Sequence, residues 1–206
     1  MIVYIDSNIF VNAKRRKEKT THKISKEFMD YVIKLNRKED KIDFFTSRYT
    51  GVELASAMIR QTQNKYRAKS ILYELGKEWE DKIGLIPENP KKTIKWEDFL
   101  KRLQEIVIEY KVPASDSIHA MALLELSPNY FVTWNKKHFA PLIKKMKNTI
   151  MVDPKEFMSE LKKVRIKNKK MKEEELYKEV FRRLFERKKF SIDKEIRNYL
   201  AHFYNK

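Results

Sequence analysis

The chain of 206 residues contains no cysteine. Disulfides and thiolate-bound zinc are therefore excluded, and a reducing compartment is the natural setting. Glycine is nearly as scarce, with three in the whole chain. No G-x-x-x-x-G-K-[ST] loop and no G-x-G-x-x-G turn occurs, so neither phosphate cradle is available. Histidine occurs four times, never in the setting of a Ser-His or Cys-His nucleophile. No apolar run approaches the roughly 20 residues that a membrane helix needs. The N-terminus enters a strand directly, without a charged leader or a cleavage site. The expectation is a soluble cytoplasmic protein with no membrane role.

What the chain has in excess is positive charge. Lys and Arg number 46 against 29 Asp and Glu, a formal charge of +17. Such an excess predicts attraction to a polyanion, nucleic acid above all. With 36% of residues charged and few glycines, the composition resembles that of heat-adapted proteins. The length suits one domain with a sizeable core plus an appendage, or two small domains.

Along the chain, "IVYI" at 2–5 reads as a short buried strand. Ile24, Phe28, Tyr31, Val32 and Leu35 fall at helical spacing within 21–37. A second strand is expected at 42–46, and a helix carrying "VELASAMIR" from Ser47 or Thr50. Residues 65–83 read as helix, and the prolines of "IPENP" at 86–90 break it. Helices follow at 94–110 and 114–126, with strands at 130–133 and 149–152. Asp153-Pro154-Lys155-Glu156 has the pattern of a helix start: an Asp cap, Pro at the first helical position and Glu at the third. Strands alternating with helices predict an α/β fold, a parallel sheet of about four strands covered on both faces.

After about residue 160 the composition shifts. "LKKVRIKNKKMK" is basic and poor in apolar residues, and two amphipathic helices are expected near 172–188 and 191–204. Residues 1–153 read as the principal domain and 154–206 as a basic helical extension. The extension's apolar faces need covering by the domain, a second copy or a partner peptide. Packing within the chain or in a homodimer is the favoured arrangement, with nucleic-acid contact secondary.

In open α/β sheets, ligands bind beyond the carboxyl ends of the strands where strand order reverses. Asp6 lies just past the first strand. If the strand at 130–133 lies beside it, Thr133 and Asn135 reach the same edge. Glu53 sits early on the helix after the second strand, and Asp116 near the start of another helix. Each has a local alternative: Asp6 and Asn135 as turn formers, Glu53 closing a capping box with Thr50, and Asp116 at a helix start. His119, one turn after Asp116, is expected to support the site by hydrogen bonding. Carboxylates sharing a pocket repel unless protons or cations intervene. Oxygen ligands without thiolates or clustered histidines predict Mg²⁺ or Mn²⁺. In a basic protein, this suggests metal-assisted attack of water on a phosphodiester. A haloacid-dehalogenase-type phosphatase needs a second acid two residues after its nucleophilic Asp, where this chain has Asn8.

"VYIDSNIF", "VELASA", "ASDSIHAMAL" and "FVTWNKKHF" resemble, in order and spacing, the motifs of the PIN domain, most of all the VapC-like ribonucleases that serve as toxins of type II toxin–antitoxin pairs. The resemblance covers residues 1–153. It implies a three-layer α/β/α fold and a Mg²⁺- or Mn²⁺-dependent endoribonuclease. Asp6, Glu53 and Asp116 match the acidic metal ligands, and Asn135 a fourth position that is often Asp. Thr133 matches the hydroxyl residue before it, and Ser7 or Asn8 the polar support after the first acid. Cognate antitoxins of this family commonly wrap the toxin and block its acidic pocket. Two alternatives are kept open: a PIN nuclease of RNA processing or decay, and a weakly catalytic RNA-binding or scaffold module. Lys14, Arg15 and Arg16 in "KRRK", and Lys136 and Lys137 after Asn135, are candidate RNA-phosphate contacts. Further basic runs lie at 144–147 and 162–172. Trp134 and Tyr130 are candidate stacking rings, with core packing favoured for Tyr130.

Overall fold

Strand β1 (Ile2–Ile5) is buried along its whole length. A strand covered on both faces reads as a continuous apolar run because alternate side chains enter two different cores. Val3 and Ile5 enter one, Ile2 and Tyr4 the other. In the computed structural model, which describes residues 1–14, 20–35, 42–79, 82–86 and 95–164, β1 is the middle strand of five. The others are β2 (Asp43–Ser47), β3 (Ile83–Ile86), β4 (Tyr130–Val132) and β5 (Ile150–Val152). Their order is β3-β2-β1-β4-β5 and every pairing is parallel.

Helices cover both faces, giving an α/β/α sandwich. One face carries α1 (Ser7–Ala13), α2 (Thr20–Lys34), α3 (Tyr49–Thr62) and α4 (Lys65–Trp79). The last described helix, α8 (Pro154–Val164), packs here too, burying Phe157 and Leu161. The Phe157 ring meets Phe28, Phe44 and Tyr130 edge-on, with centroids 5.3–6.2 Å apart. The opposite face carries α5 (Trp96–Tyr110), α6 (Ser117–Leu126) and α7 (Lys136–Ile143). Helix α6 is apolar nearly all round, as expected of a helix enclosed by its neighbours. No described helix is long and apolar enough to cross a membrane.

Two details differ from the expectations. The sheet has a fifth strand, β3, where residues 83–86 were assigned to the end of a helix and the start of a break. Gly84 permits it: a Cβ there would stand 2.7 Å from the Phe45 ring. The segment expected to be one helix from 114 is a 3-10 turn over Ala114–Asp116 followed by α6. Three helices end in residues with positive φ, namely Gln63, Lys111 and Ser127. Glycine usually takes that position, and this chain has almost none to place there. The start of α8 follows its pattern closely: Asp153 N–H donates to Glu156 at 2.8 Å and Glu156 N–H to Asp153 at 2.9 Å. The proposed helices near 172–188 and 191–204 lie outside the described residues.

The chain builds β1, β2 and β3 outward in one direction, then crosses back over β1 to lay down β4. Strand order therefore reverses between β1 and β4, which opens a crevice at their carboxyl ends.

Candidate active site

The backbone delivers two side chains to that crevice. Asp6 follows β1 and its N–H donates to Val132 O at 3.0 Å. Thr133 follows β4 and its N–H donates to Val152 O at 3.0 Å. Their side chains meet, with Thr133 Oγ1 donating to Asp6 Oδ2 at 2.5 Å. Asp6 is the N-cap residue of α1, yet its carboxylate makes no capping bond. It is spent on the crevice instead.

Asn8 and Ser7, in the first turn of α1, complete this cradle. Asn8 Nδ2 donates to Asp6 Oδ2 at 2.7 Å and lies 3.2 Å from Thr133 Oγ1, while Asn8 Oδ1 accepts from Trp134 N–H at 3.3 Å. Ser7 Oγ donates to Asp6 Oδ1 at 3.3 Å, and its hydroxyl also helps to lower the Glu53 carboxyl. Asp6 and Asn8 are thus tied to β4 and the residues just after it, more than 120 positions away in the chain, and Asp6 has little freedom to turn.

Glu53 enters from the first turns of α3. It does not close a capping box with Thr50, whose hydroxyl pairs with Thr46 Oγ1 at 2.7 Å. Glu53 Oε2 instead meets His119 Nε2 at 2.7 Å. His119 is buried in α6, and its Nδ1 lies 2.8 Å from the Tyr4 hydroxyl. Asp116 stands at the N-cap of α6, again without a capping bond. Its Oδ2 lies 2.7 Å from His138 Nδ1, and its Oδ1 accepts from Ser115 Oγ at 3.2 Å.

The electrostatics follow from this crowding. Burial pushes the Asp6 carboxyl above its ordinary range, and the charges of Asp116 and Glu53 push it further, against the opposing pull of His119 and the Thr133 hydroxyl. Burial alone would lower His119, but the bond to Glu53 and the charges of Asp6, Glu53 and Asp116 raise it. Burial would raise Glu53, but the bond to His119, its charge and Ser7 bring it below its usual value. The two partners shift in opposite directions, as an ion pair requires.

Asp6, Glu53 and Asp116 thus share one electrostatic environment centred on His119, with Thr133, Ser7 and Asn8 in contact with Asp6. Asn135 stands at the rim: its N–H donates to Thr133 Oγ1 at 2.9 Å, and its side chain makes no hydrogen bond to the three carboxylates among the described residues. Two participants were not anticipated, Tyr4 and His138. Among the described residues, no three His, Asp or Glu side chains are arranged as a ready metal cage. Glu53 and Asp116 each face a histidine. The donor set is nonetheless chemically suited to Mg²⁺ or Mn²⁺: three carboxylates and no soft ligand.

The candidate RNA contacts are mixed. Lys14 pairs with Glu78 at 3.4 Å and lies over the Trp79 ring. Lys136 is held by Glu156 and by Asp153, while Lys137 is exposed. Arg15 and Arg16 lie outside the described residues. Both candidate stacking rings are engaged in the core: Trp134 Nε1 donates to Ser25 Oγ at 2.9 Å, and Tyr130 is buried against Phe157. No protein-family model and no curated protein matches this chain.

Proposed function

We propose that this protein is a metal-dependent endoribonuclease of PIN-like architecture, with a VapC-like toxin as the favoured biological role. The reading is supported by the His119–Glu53 contact and by the charges of Asp6, Glu53 and Asp116, all of which act on His119 near the strand-order reversal. The ordered resemblance of the four motifs to the PIN domain supports it, as does the charge of +17. Asp6, Glu53 and Asp116 would hold Mg²⁺ or Mn²⁺. The ion would supply a bound water of lowered pKa and offset negative charge on the phosphate.

The chain's own residues supply position and charge. Thr133, Ser7 and Asn8 fix the Asp6 carboxylate. His119, steadied by Tyr4, orients Glu53, and His138 holds Asp116. Such outer contacts set ligand orientation and commonly matter nearly as much as the ligands. Lys137 and the other exposed cations attract the phosphate backbone in a salt-sensitive, largely sequence-independent way. A cognate antitoxin and a homodimer belong to the same reading.

One observation favours a second reading, an RNA-binding module with little catalysis. Glu53 and Asp116 already have histidine partners, so a cation must compete with His119 and His138 for them. Cleavage of structured and single-stranded RNAs separates the two. The purified protein is assayed with Mg²⁺, Mn²⁺ or EDTA beside Asp116→Asn. Metal-dependent cutting lost in the variant supports the nuclease. RNA binding by both proteins without cutting supports the binding module. Growth arrest on expression, relieved by a neighbouring gene product, would support the toxin role over RNA processing.

A further inference from the structure

Helix α4 presents an unusual outer face. Ala68, Ile71, Leu72 and Trp79 point inward, with Ala68 and Trp79 buried and Ile71 and Leu72 packed on the core. At 100° per residue, Tyr66, Ser70, Tyr73 and Lys77 fall on one line along the opposite side. Tyr66 is 73% exposed and Tyr73 66% exposed among the described residues. Large rings at this exposure, on a helix whose inner face is already satisfied, contribute nothing to the core.

Their surroundings are cationic. Lys65 Nζ lies 5.1 Å from the Tyr66 ring centre and Lys77 Nζ 4.8 Å from that of Tyr73. Arg67 and Lys69 are exposed on the same helix. Of its two acids, Glu78 is drawn to Lys14 and Glu74 accepts from Ser70 Oγ. A symmetric interface would set this face against itself, cation against cation. A polyanion with planar groups matches both features at once.

We propose that the outer face of α4 is a stacking platform for single-stranded RNA. The inference takes its substrate class from the proposed nuclease function and adds where the strand is gripped. Tyr73 follows Tyr66 by seven positions, about 10 Å along the helix, so each ring can take its own base. Lys65, Arg67, Lys69 and Lys77 hold the intervening phosphates. Aromatic stacking tolerates any base, since every base has a π-face. Helix α3 carries Glu53 and leads directly into α4, so the platform lies on the element adjoining the catalytic crevice. Rings of this kind reach unpaired bases and not those stacked within a duplex.

The test uses the full chain in EDTA, with a fluorescent oligouridine and a blunt RNA duplex of equal length, read by anisotropy over a salt series. The Tyr66→Ala/Tyr73→Ala protein should bind the single strand about tenfold or more weakly, with an unchanged salt slope and unchanged duplex binding. Tyr66→Phe/Tyr73→Phe should restore binding, because Phe keeps the ring. Lys77→Ala should instead lower the slope by about 0.7. The proposal is overturned if the alanine protein binds the single strand within about twofold of wild type, if duplex binding falls equally, or if wild type binds no single strand. A change in sedimentation on alanine substitution would likewise overturn it, marking a protein interface. Metal-dependent cutting that survives with tyrosine-independent binding leaves the nuclease standing and removes the platform. Tyrosine-dependent binding without any cutting does the reverse.

Discussion

Tyr4→Phe isolates the role of His119 with little disturbance. The Tyr4 ring is fully buried and packs against Phe131 with centroids 5.9 Å apart. Phenylalanine keeps that packing and opens no sizeable cavity. What is lost is the hydroxyl 2.8 Å from His119 Nδ1. With its pKa raised above the ordinary 6.5, His119 is an imidazolium at mildly acidic pH, and both ring nitrogens donate. Glu53 accepts from Nε2 and Tyr4 from Nδ1. Removing one acceptor from a buried cationic N–H costs about 1.5–3 kcal/mol, roughly 3–12 °C in melting temperature for a chain of this size. The pH dependence has a defined sign. A histidine raised on folding contributes stability that is full below its unfolded pKa and lost as pH rises through the folded value. Glu53 is lowered from 4.5, so its contribution holds above that value and is lost as pH falls through the folded one. The pair is at full strength between about pH 4.5 and 6.5. Thermal melts followed by circular dichroism should show a larger gap between wild type and Tyr4→Phe at about pH 5.5 than at about pH 9. Equal melting temperatures at the lower pH, or a gap that widens toward alkali, would refute the imidazolium assignment.

Three other substitutions probe different parts of the molecule. Asp6→Asn should raise the stability of metal-free protein at neutral pH by about 0.5–2 kcal/mol, because an acid raised on folding costs stability once ionised; the gain should shrink as pH falls through the folded Asp6 pKa, and a loss of stability at neutral pH would contradict the assignment. Gly84→Ala should cost about 1–3 kcal/mol by overpacking, since the new Cβ would meet Phe45 at 2.7 Å; urea unfolding reads this, and an unchanged midpoint would mean that Phe45 moves freely. Phe157→Ala should cost about 3–5 kcal/mol, measurable by the same method, if α8 is as integral to the core as its ring contacts indicate.

The parts of this architecture that could be read from sequence are those with a local signature. Four strands announce themselves as short apolar runs, and Asp153 to Glu156 as a helix start. Strand β3 has no such mark: "IGLI" is brief, directly follows a helical pattern, and is specified by its pairing with β2 across the sheet. The same distinction separates the side chains. Asp6, Glu53 and Asp116 stand out because acids at strand ends and helix starts attract attention. Whether Glu53 caps its helix or faces His119 depends on a residue 66 positions away. Tyr4 left one clue, a hydroxyl within a buried strand that must find a partner. His138 follows Asn135 by three positions in a stretch already noted, but only the folded chain brings it to Asp116.

The strand reversal also has a consequence for synthesis. Thr133 reaches Asp6 only when β4 has paired with β1, and its own N–H is held by Val152 on the last strand. A ribosome must therefore release nearly three quarters of the chain before this pocket can close. Synthesis at about 5–20 residues per second leaves Asp6 waiting for roughly 7–30 seconds. Products truncated between Asp116 and Val152 would carry all three acids and no assembled centre. A protein proposed to cut RNA would thus have no assembled site beside the very messenger that encodes it until Val152 has been released.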